Sequence, residues 1–335
     1  MNFAIIGFGG LGKLHFRCAG EVANRVKDVK LVAICDIDEQ AFHTQTSTNL
    51  GNVDDELDLS EYHLYTCVDE LLKNERLDFV ITALPTYIHE EIAVKVMKHG
   101  INVFSEKPMA LTLEQGEHML QVAKESQVKL MIGQCVRYFP EYAMLKNLID
   151  SKKYGKVIRA DFIRISPNIT WSWQDWMLDG AKSGGAALDM HVHDVDFIQW
   201  AFGVPKAVTS VATNHKTEHE SISTVYHYDD MLVTGTGDWG MPGCFPFTPG
   251  FTVRFEKATV VMSAAGVKLY PEEGEPSDIE VQVVSGYIEE IVDFIQCIRE
   301  DRESKINPPE ASCCTLKIAL AEKQSADTNQ TVYLS

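Results

Sequence analysis

The chain has 335 residues, 30 of them basic against 48 acidic, for a formal net charge of −18. That length exceeds one ordinary domain, so two domains are expected. The acidity argues against a nucleic-acid partner, which needs a basic face, and no apolar run reaches the roughly 18 residues of a membrane span.

The first elements predicted are a strand, a turn and a helix. Asn2-Phe3-Ala4-Ile5-Ile6 runs into Gly7-Phe8-Gly9-Gly10-Leu11-Gly12, and a second apolar strand, Leu31-Val32-Ala33-Ile34-Cys35, ends on Asp36. Glycines spaced Gly-x-Gly-x-x-Gly recur by chance, but in a strand-to-helix turn each has a purpose. Gly7 permits the tight turn, Gly9 lets backbone approach a pyrophosphate, and Gly12 lets the helix pack on the strand. The helix N-terminus then meets the phosphate charge. Asp36 is placed to bind a ribose diol, and its carboxylate would repel a 2′-phosphate. No arginine accompanies it in Asp36-Ile37-Asp38-Glu39, so NAD is favoured over NADP. The plain alternative for Asp36, and for Asp38, is a cap on the following helix. The N-terminal segment reads as a strand rather than a signal peptide.

Helix and strand go on alternating, the pattern of a parallel sheet wrapped by helices. Asp54, Asp55, Glu56, Asp58 and Glu61 fall in one connection that reads as a solvated loop. A strand is predicted at 63–66, a helix at 68–74, a buried strand at 77–83, an amphipathic helix at 87–99 ended by Gly100, and a strand at 102–105. Thr112-Leu113-Glu114-Gln115 has the form of a capping box, and 128–133 reads as another strand. The first domain, a Rossmann doubly wound sheet, is taken as 1–135.

Residues 136–335 read as an α+β domain for substrate binding and oligomerisation, making the fold class α/β plus α+β. Strands are predicted at 157–165, 207–213, 221–228, 231–238, 251–256 and 259–263, largely antiparallel, with hairpin turns at Asp229-Asp230 and Lys257. Helices near 140–151, 188–202, 286–300 and 310–327 are expected to cover one face, leaving the other for a homodimer or homotetramer contact. The eight cysteines contain no CxxC pair; buried reduced thiols, and hence a reducing cytoplasm, are expected.

Three segments carry candidate chemistry. Glu106-Lys107-Pro108 follows a strand, at the carboxyl edge where such folds bind ligands, and Ala83-Leu84-Pro85-Thr86-Tyr87-Ile88-His89 follows the preceding one. The third is Ser183-Gly184-Gly185-Ala186-Ala187-Leu188-Asp189-Met190-His191-Val192-His193-Asp194. Asp189 and His193, four apart, would share a helix face, and an imidazole beside a carboxylate can take a proton from an alcohol near neutral pH. The His191/His193 pair, with Asp189, Asp194 or Asp196, raises a metal site, but residues two apart on a helix point in different directions, so none is expected.

Each of these residues also has a structural reading. Lys107 could be a surface lysine, His193 a hydrogen-bonded core histidine and His89 a helix-start residue. Trp171, Trp173 and Trp176 could stack on a sugar ring or simply pack, and Trp176 is taken as the substrate contact. Arg137 and Tyr138 either fix a substrate hydroxyl or brace the domain junction.

Taken in order, the glycine turn, Leu84-Pro85-Thr86 with His89, Glu106-Lys107-Pro108, Arg137-Tyr138-Phe139-Pro140 and Gly184-Gly185 followed by Asp189 and His193 resemble the Gfo/Idh/MocA oxidoreductase family, of glucose-fructose oxidoreductase and inositol dehydrogenase type. The resemblance runs nearly end to end. It implies NAD in a cleft and hydride transfer to or from a secondary alcohol or ketone carbon of a sugar, inositol or related polyol. Lys107, Asp189 and His193 would be catalytic, with His193 exchanging the hydroxyl proton. Cofactor contacts are expected at Gly7, Phe8, Gly9, Gly10, Leu11, Gly12, Asp36, Leu84, Pro85, Thr86, His89, Glu106 and Lys107. Substrate contacts are expected at Lys107, Arg137, Tyr138, Trp176, Asp189 and His193. Two departures stand out: Ala186 where the family often has a third glycine, and His191 where it often has a small residue. The competing functions are a non-catalytic NAD-binding sensor or scaffold and a metal-dependent hydrolase using the His191/His193 pair.

Overall fold

A computed structural model describes residues 1–44, 46–48, 51–53 and 57–334. Asp54, Asp55 and Glu56 of the expected acidic loop lie outside the described residues, whereas Asp58 and Glu61 are exposed. The chain forms two compact units. The first comprises Met1–Gln134, Trp171–Trp176 and Tyr287–Cys313, and the second Cys135–Thr170, Met177–Gly286 and the residues from Cys314 onward.

The first unit is built on six parallel strands in the order His63–Tyr65, Lys30–Cys35, Asn2–Ile6, Phe79–Thr82, Asn102–Ser105, Leu130–Ile132. The order reverses between Asn2–Ile6 and Phe79–Thr82, and such a switch point is where open parallel sheets bind ligands. Every residue of Phe79–Thr82 is buried, as a strand covered on both faces requires. The capping box forms as expected: the Thr112 hydroxyl accepts from the Gln115 N–H while the Gln115 side chain accepts from the Thr112 N–H. The helix expected over 87–99 begins as a 3-10 turn, Thr86–Ile88, and continues as His89–Met97.

One helix is not where it was expected. Gly286–Arg299 packs on the parallel sheet rather than on the antiparallel one: Ile288, Ile291, Phe294 and Ile295 are buried with Phe3, Ile5, Phe79 and Phe104. Phe294 meets Phe79 and Phe104 edge-on at centroid distances of 5.7 and 5.8 Å. Its 3-4 spacing predicts an apolar stripe, but a stripe does not say which sheet it will cover.

The second unit is a nine-stranded sheet. Its order is Ser277–Asp278, Gly266–Pro271, Ala258–Ser263, Thr248–Phe255, Val157–Pro167, Leu232–Met241, Ser221–His227, Ala207–Thr213, Val332–Tyr333. Every neighbouring pair is antiparallel except Val157–Pro167 with Leu232–Met241. The three strands missing from the expectation, Gly266–Pro271, Ser277–Asp278 and Val332–Tyr333, lie at the sheet's two margins. Tyr142 and Phe197, from helices Pro140–Ser151 and Val192–Phe202, pack on Phe251 and Phe162 at 5.4 and 5.5 Å and cover one face. The other face presents Thr209, Val211, Val225, Thr234, Thr236 and Ile163 in alternation with buried residues.

All eight cysteines are free, and Cys18, Cys35, Cys135, Cys297 and Cys313 are buried. Cys67 and Cys244 are exposed, against expectation. Cys67 precedes a helix as its N-cap and Cys244 sits in a loop, so neither belongs to an apolar strand. Among the described residues no helix is long and apolar enough to cross a membrane.

Candidate functional site

The glycine turn sits at the switch point of the parallel sheet. Gly7 has φ +92°, its N–H donates to Cys35 O at 2.8 Å, and a Cβ there would lie 2.2 Å from Ala83 O at the end of the neighbouring strand. A Cβ on Gly12 would lie 2.0 Å from Gly7 O. Gly9 is different: it is exposed, and a Cβ would meet nothing within 4 Å. That opening stands at the start of helix Gly10–Arg25, which has no side-chain cap and no acidic residue in its first turn. Unclaimed N–H donors, a positive dipole end and free space suit a diphosphate, so these residues fit a dinucleotide.

Asp36 closes the turn from the side. Its Oδ2 accepts from the Phe8 N–H at 2.6 Å and its Oδ1 from the Asp38 N–H at 2.8 Å. Asp38, not Asp36, caps the next short helix by accepting from the Gln40 N–H. The Phe8 ring is buried, edge-on to Phe16 at 5.8 Å, so this residue presents backbone rather than side chain to the turn.

The two strand-end loops are tied together by His89. It is buried, with Nδ1 2.8 Å from Pro108 O and Nε2 2.8 Å from Leu84 O, and burial pulls its pKa below the ordinary value. Thr86 is buried, while Leu84, Pro85 and Lys107 are half-buried. The Glu106 carboxylate turns inward: Oε1 accepts from His15 Nε2 at 2.7 Å and Oε2 from the Lys107 N–H at 3.1 Å. A Cβ on Gly133 would lie 3.3 Å from that carboxylate. Glu290, from the late helix, is also fully buried, and burial together with the Glu106 charge pushes its pKa well above the ordinary value. A side chain so engaged braces the loop bearing Lys107 and leaves only backbone at position 106 to face a ligand.

In the second unit Gly185, ahead of Asp189, admits a backbone. Gly185 has φ +75°, and a Cβ there would lie 2.2 Å from Glu218 O. Asp189 is buried and His193 half-buried. They do not share one helix, contrary to the expectation of a single helix over 188–202. Asp189 ends Gly185–Asp189 and His193 is the second residue of Val192–Phe202, with Met190 and His191 between. His191 is fully buried against the sheet, its Nε2 3.2 Å from the Tyr226 hydroxyl. It is thus a core residue, and among the described residues no group of three His, Cys, Asp or Glu side chains is arranged to hold a metal ion.

Arg137 is buried and forks onto Asp196, with Nε and Nη2 each 2.7 Å from a carboxylate oxygen, while the Thr315 hydroxyl donates to the same carboxylate at 2.8 Å. Arg137, Asp196 and Thr315 all belong to the second unit. Tyr138 is buried beside it in the chain. Trp176 is half-buried and belongs to the first unit with Trp173, whose indole N–H donates to Asp38 Oδ2 at 3.3 Å.

Comparison with known proteins shows the family. Residues 1–134 match the Gfo/Idh/MocA model described as an oxidoreductase family with an NAD-binding Rossmann fold, and residues 142–261 match the family's C-terminal domain. The chain belongs to the Gfo/Idh/MocA oxidoreductase family. Its N-terminal unit is therefore the family's NAD-binding Rossmann fold. One relative, 2,7-anhydro-N-acetylneuraminate hydratase of Mediterraneibacter gnavus, is 29% identical over 69% of this chain and 57% of its own length. The chain thus spans little more than half of that relative. Inositol 2-dehydrogenase of Rhizobium meliloti is 24% identical over 86% of this chain and 80% of its own. The WlbA dehydrogenase of Bordetella pertussis, solved with NADH and UDP-GlcNAcA, superimposes with a TM-score of 0.84 over 100% of this chain and 98% of its own at 19% identity, a likeness of fold.

Two parts of the site were not foreseen. His15 holds the carboxylate behind Lys107, and Glu290 is buried where it feels that carboxylate's charge; their signal is a lone polar residue on an otherwise apolar helix face, among Cys18, Ala19 and Val22 for the first and Ile288, Ile291 and Phe294 for the second. Gly235 and Gly237, two apart in a strand, receive His191; such glycines mark a close approach without naming the visitor.

Proposed function

We propose that the protein is an NAD-dependent dehydrogenase or reductase that moves a hydride between nicotinamide and a secondary alcohol or ketone carbon of a sugar, inositol or related polyol. The observation that carries this reading is the opening at Gly9 over an uncapped helix start, with Asp36 beside it at the switch point. In this reading Gly7 to Gly12 hold the diphosphate and Asp36 the ribose diol, and the charge of Asp36 disfavours NADP. Leu84, Pro85, Thr86, His89, Glu106 and Lys107 border the cofactor. When bound, NAD supplies the hydride acceptor or donor, and the chain supplies orientation and proton handling. The Lys107 ammonium polarises the reacting oxygen. His193 takes the hydroxyl proton in oxidation and returns it in reduction, and Asp189 orients the imidazole. Arg137, Tyr138 and Trp176 contribute substrate contacts, the Arg137 side chain being held by Asp196. Relatives named for 2,7-anhydro-N-acetylneuraminate and inositol, and a neighbour solved with UDP-GlcNAcA, support the substrate class. The reading places the protein in the cytoplasm as a homodimer or homotetramer joined through the open sheet face.

The test is a panel of sugars, sugar acids and inositols with NAD and NADP, run in both directions at the reduced-nicotinamide absorbance band. Turnover with NAD that survives a chelator supports the assignment and excludes the metal-dependent hydrolase. NAD binding with no turnover across the panel would make the protein a sensor or scaffold. Product formed without net change in NADH would move it to the hydratase type of its relative.

A further inference from the structure

His191 stands at the corner between helices Gly185–Asp189 and Val192–Phe202, two residues from Asp189 on one side and two from His193 on the other. The corner breaks the helical ladder. The His191 N–H reaches back five residues to Ala186 O at 2.9 Å, and the His193 N–H bonds Met190 O at 3.4 Å rather than Asp189 O. Regular helix geometry therefore does not fix where Asp189 and His193 stand relative to one another.

A tertiary contact holds the corner instead. The His191 ring is fully buried against strand Leu232–Met241 at two glycines on the same face. A Cβ on Gly235 would lie 2.9 Å from the ring's Cε1 and 3.1 Å from the Tyr226 hydroxyl, and one on Gly237 would lie 2.7 Å from the His191 Cβ. The ring occupies the space that two side chains would otherwise fill. Its Nε2 lies 3.2 Å from the Tyr226 hydroxyl and 3.7 Å from Glu322 Oε2. A buried polar group with one bonded orientation is costly to misplace.

We propose that His191 is a positioning residue for the acid/base pair: seated in the notch left by Gly235 and Gly237 and bonded to Tyr226, it fixes the corner that sets Asp189 relative to His193. The inference rests on the proposed function for what that pair does. It does not rest on it for the seat itself.

The test is a double-mutant cycle on the full chain with His191→Ala, Gly235→Ala and both together, alongside Tyr226→Phe. Each of the first two is expected to lower kcat by about 10- to 100-fold, the scale of a small misplacement of catalytic groups, and to leave the KM for NAD within about twofold. The double variant is expected to be no worse than His191→Ala, because the tightest contact of the new methyl is with the ring that has been removed, and the Tyr226 side chain can shift by a few tenths of an ångström into the vacated space. Tyr226→Phe keeps the packing and loses only the hydroxyl. It is expected to lower kcat by less, and it covers the case in which His191→Ala does not fold. Additive losses, or an unchanged kcat in all variants, would overturn the proposal. A second readout needs no turnover: the rate at which diethyl pyrocarbonate modifies His193, followed by peptide mass spectrometry. If the wild type turns over nothing in the panel, the proposed function falls. The labelling then still decides the seat: a changed His193 rate in His191→Ala supports it and an unchanged rate overturns it.

Discussion

Two glycines of one turn have opposite reasons to be glycine. Gly12→Ala places a methyl 2.0 Å from Gly7 O, so a lower melting temperature and lost NAD binding are expected together. Gly9 has φ −73°, which any residue adopts, and no protein atom within 4 Å of a Cβ. Gly9→Ala should therefore melt like the wild type yet bind NAD about tenfold more weakly or worse, as titration calorimetry would show. Normal binding by that variant would remove the diphosphate reading. In the same unit, Asp36→Ala should weaken NAD binding. Lys107→Met or His193→Ala should abolish turnover with NAD still bound, and turnover at the wild-type rate in either would remove the catalytic assignment. Burial pushes the Glu322 carboxyl from an ordinary 4.5 up to about 8. Its folded form thus keeps a proton that the unfolded chain releases, and this stabilisation is full below about pH 4.5 and lost as pH rises through about 8. His191, pulled down to about 4 by burial, acts in the opposite sense: it costs stability as pH falls from 6.5 toward 4. Glu322→Gln cannot ionise, so its melting temperature should gain on the wild type as pH rises toward 8. Parallel curves would refute the buried-acid account.

At the scale of elements, what could be read ahead of the structure was local. The strand, glycine turn and helix, the box at Thr112 and the stop at Gly100 are each determined by residues within one or two turns of one another. The break at Met190 and His191 was hidden, because no glycine or proline marks it and the apolar periodicity runs straight through. The partner of helix Gly286–Arg299 was hidden for another reason: an apolar stripe is the same whichever sheet it will meet. That contact is testable. Phe294→Ala should destabilise the chain by about 3–5 kcal/mol, the usual cost of removing a buried phenyl group, and should weaken NAD binding by loosening the sheet beneath the turn. Denaturant unfolding with a cost below about 1 kcal/mol would mean that the ring is not a core residue.

For the whole molecule, the open face of the nine-stranded sheet bears on assembly. Val211 is 63% exposed, Leu232 46% and Val225 39%, with serines and threonines between them. Such a mixed face suits a contact between copies better than it suits bare solvent. Sedimentation should find a dimer or tetramer, and Val225→Glu should shift it toward monomer. A wild type that stays monomeric at micromolar concentration would refute the contact.

The late helix also has a consequence for the order of synthesis. The first 134 residues leave the ribosome with every strand of their sheet but without Phe294 and its neighbours, which belong to the same unit. At 5–20 residues per second, the roughly 150 intervening residues take on the order of 10–30 s. For that interval the nascent chain lacks the ring that covers Phe79 and Phe104 in the folded unit. A messenger truncated before codon 286 should yield a product that aggregates or is degraded rather than a free-standing nucleotide-binding domain.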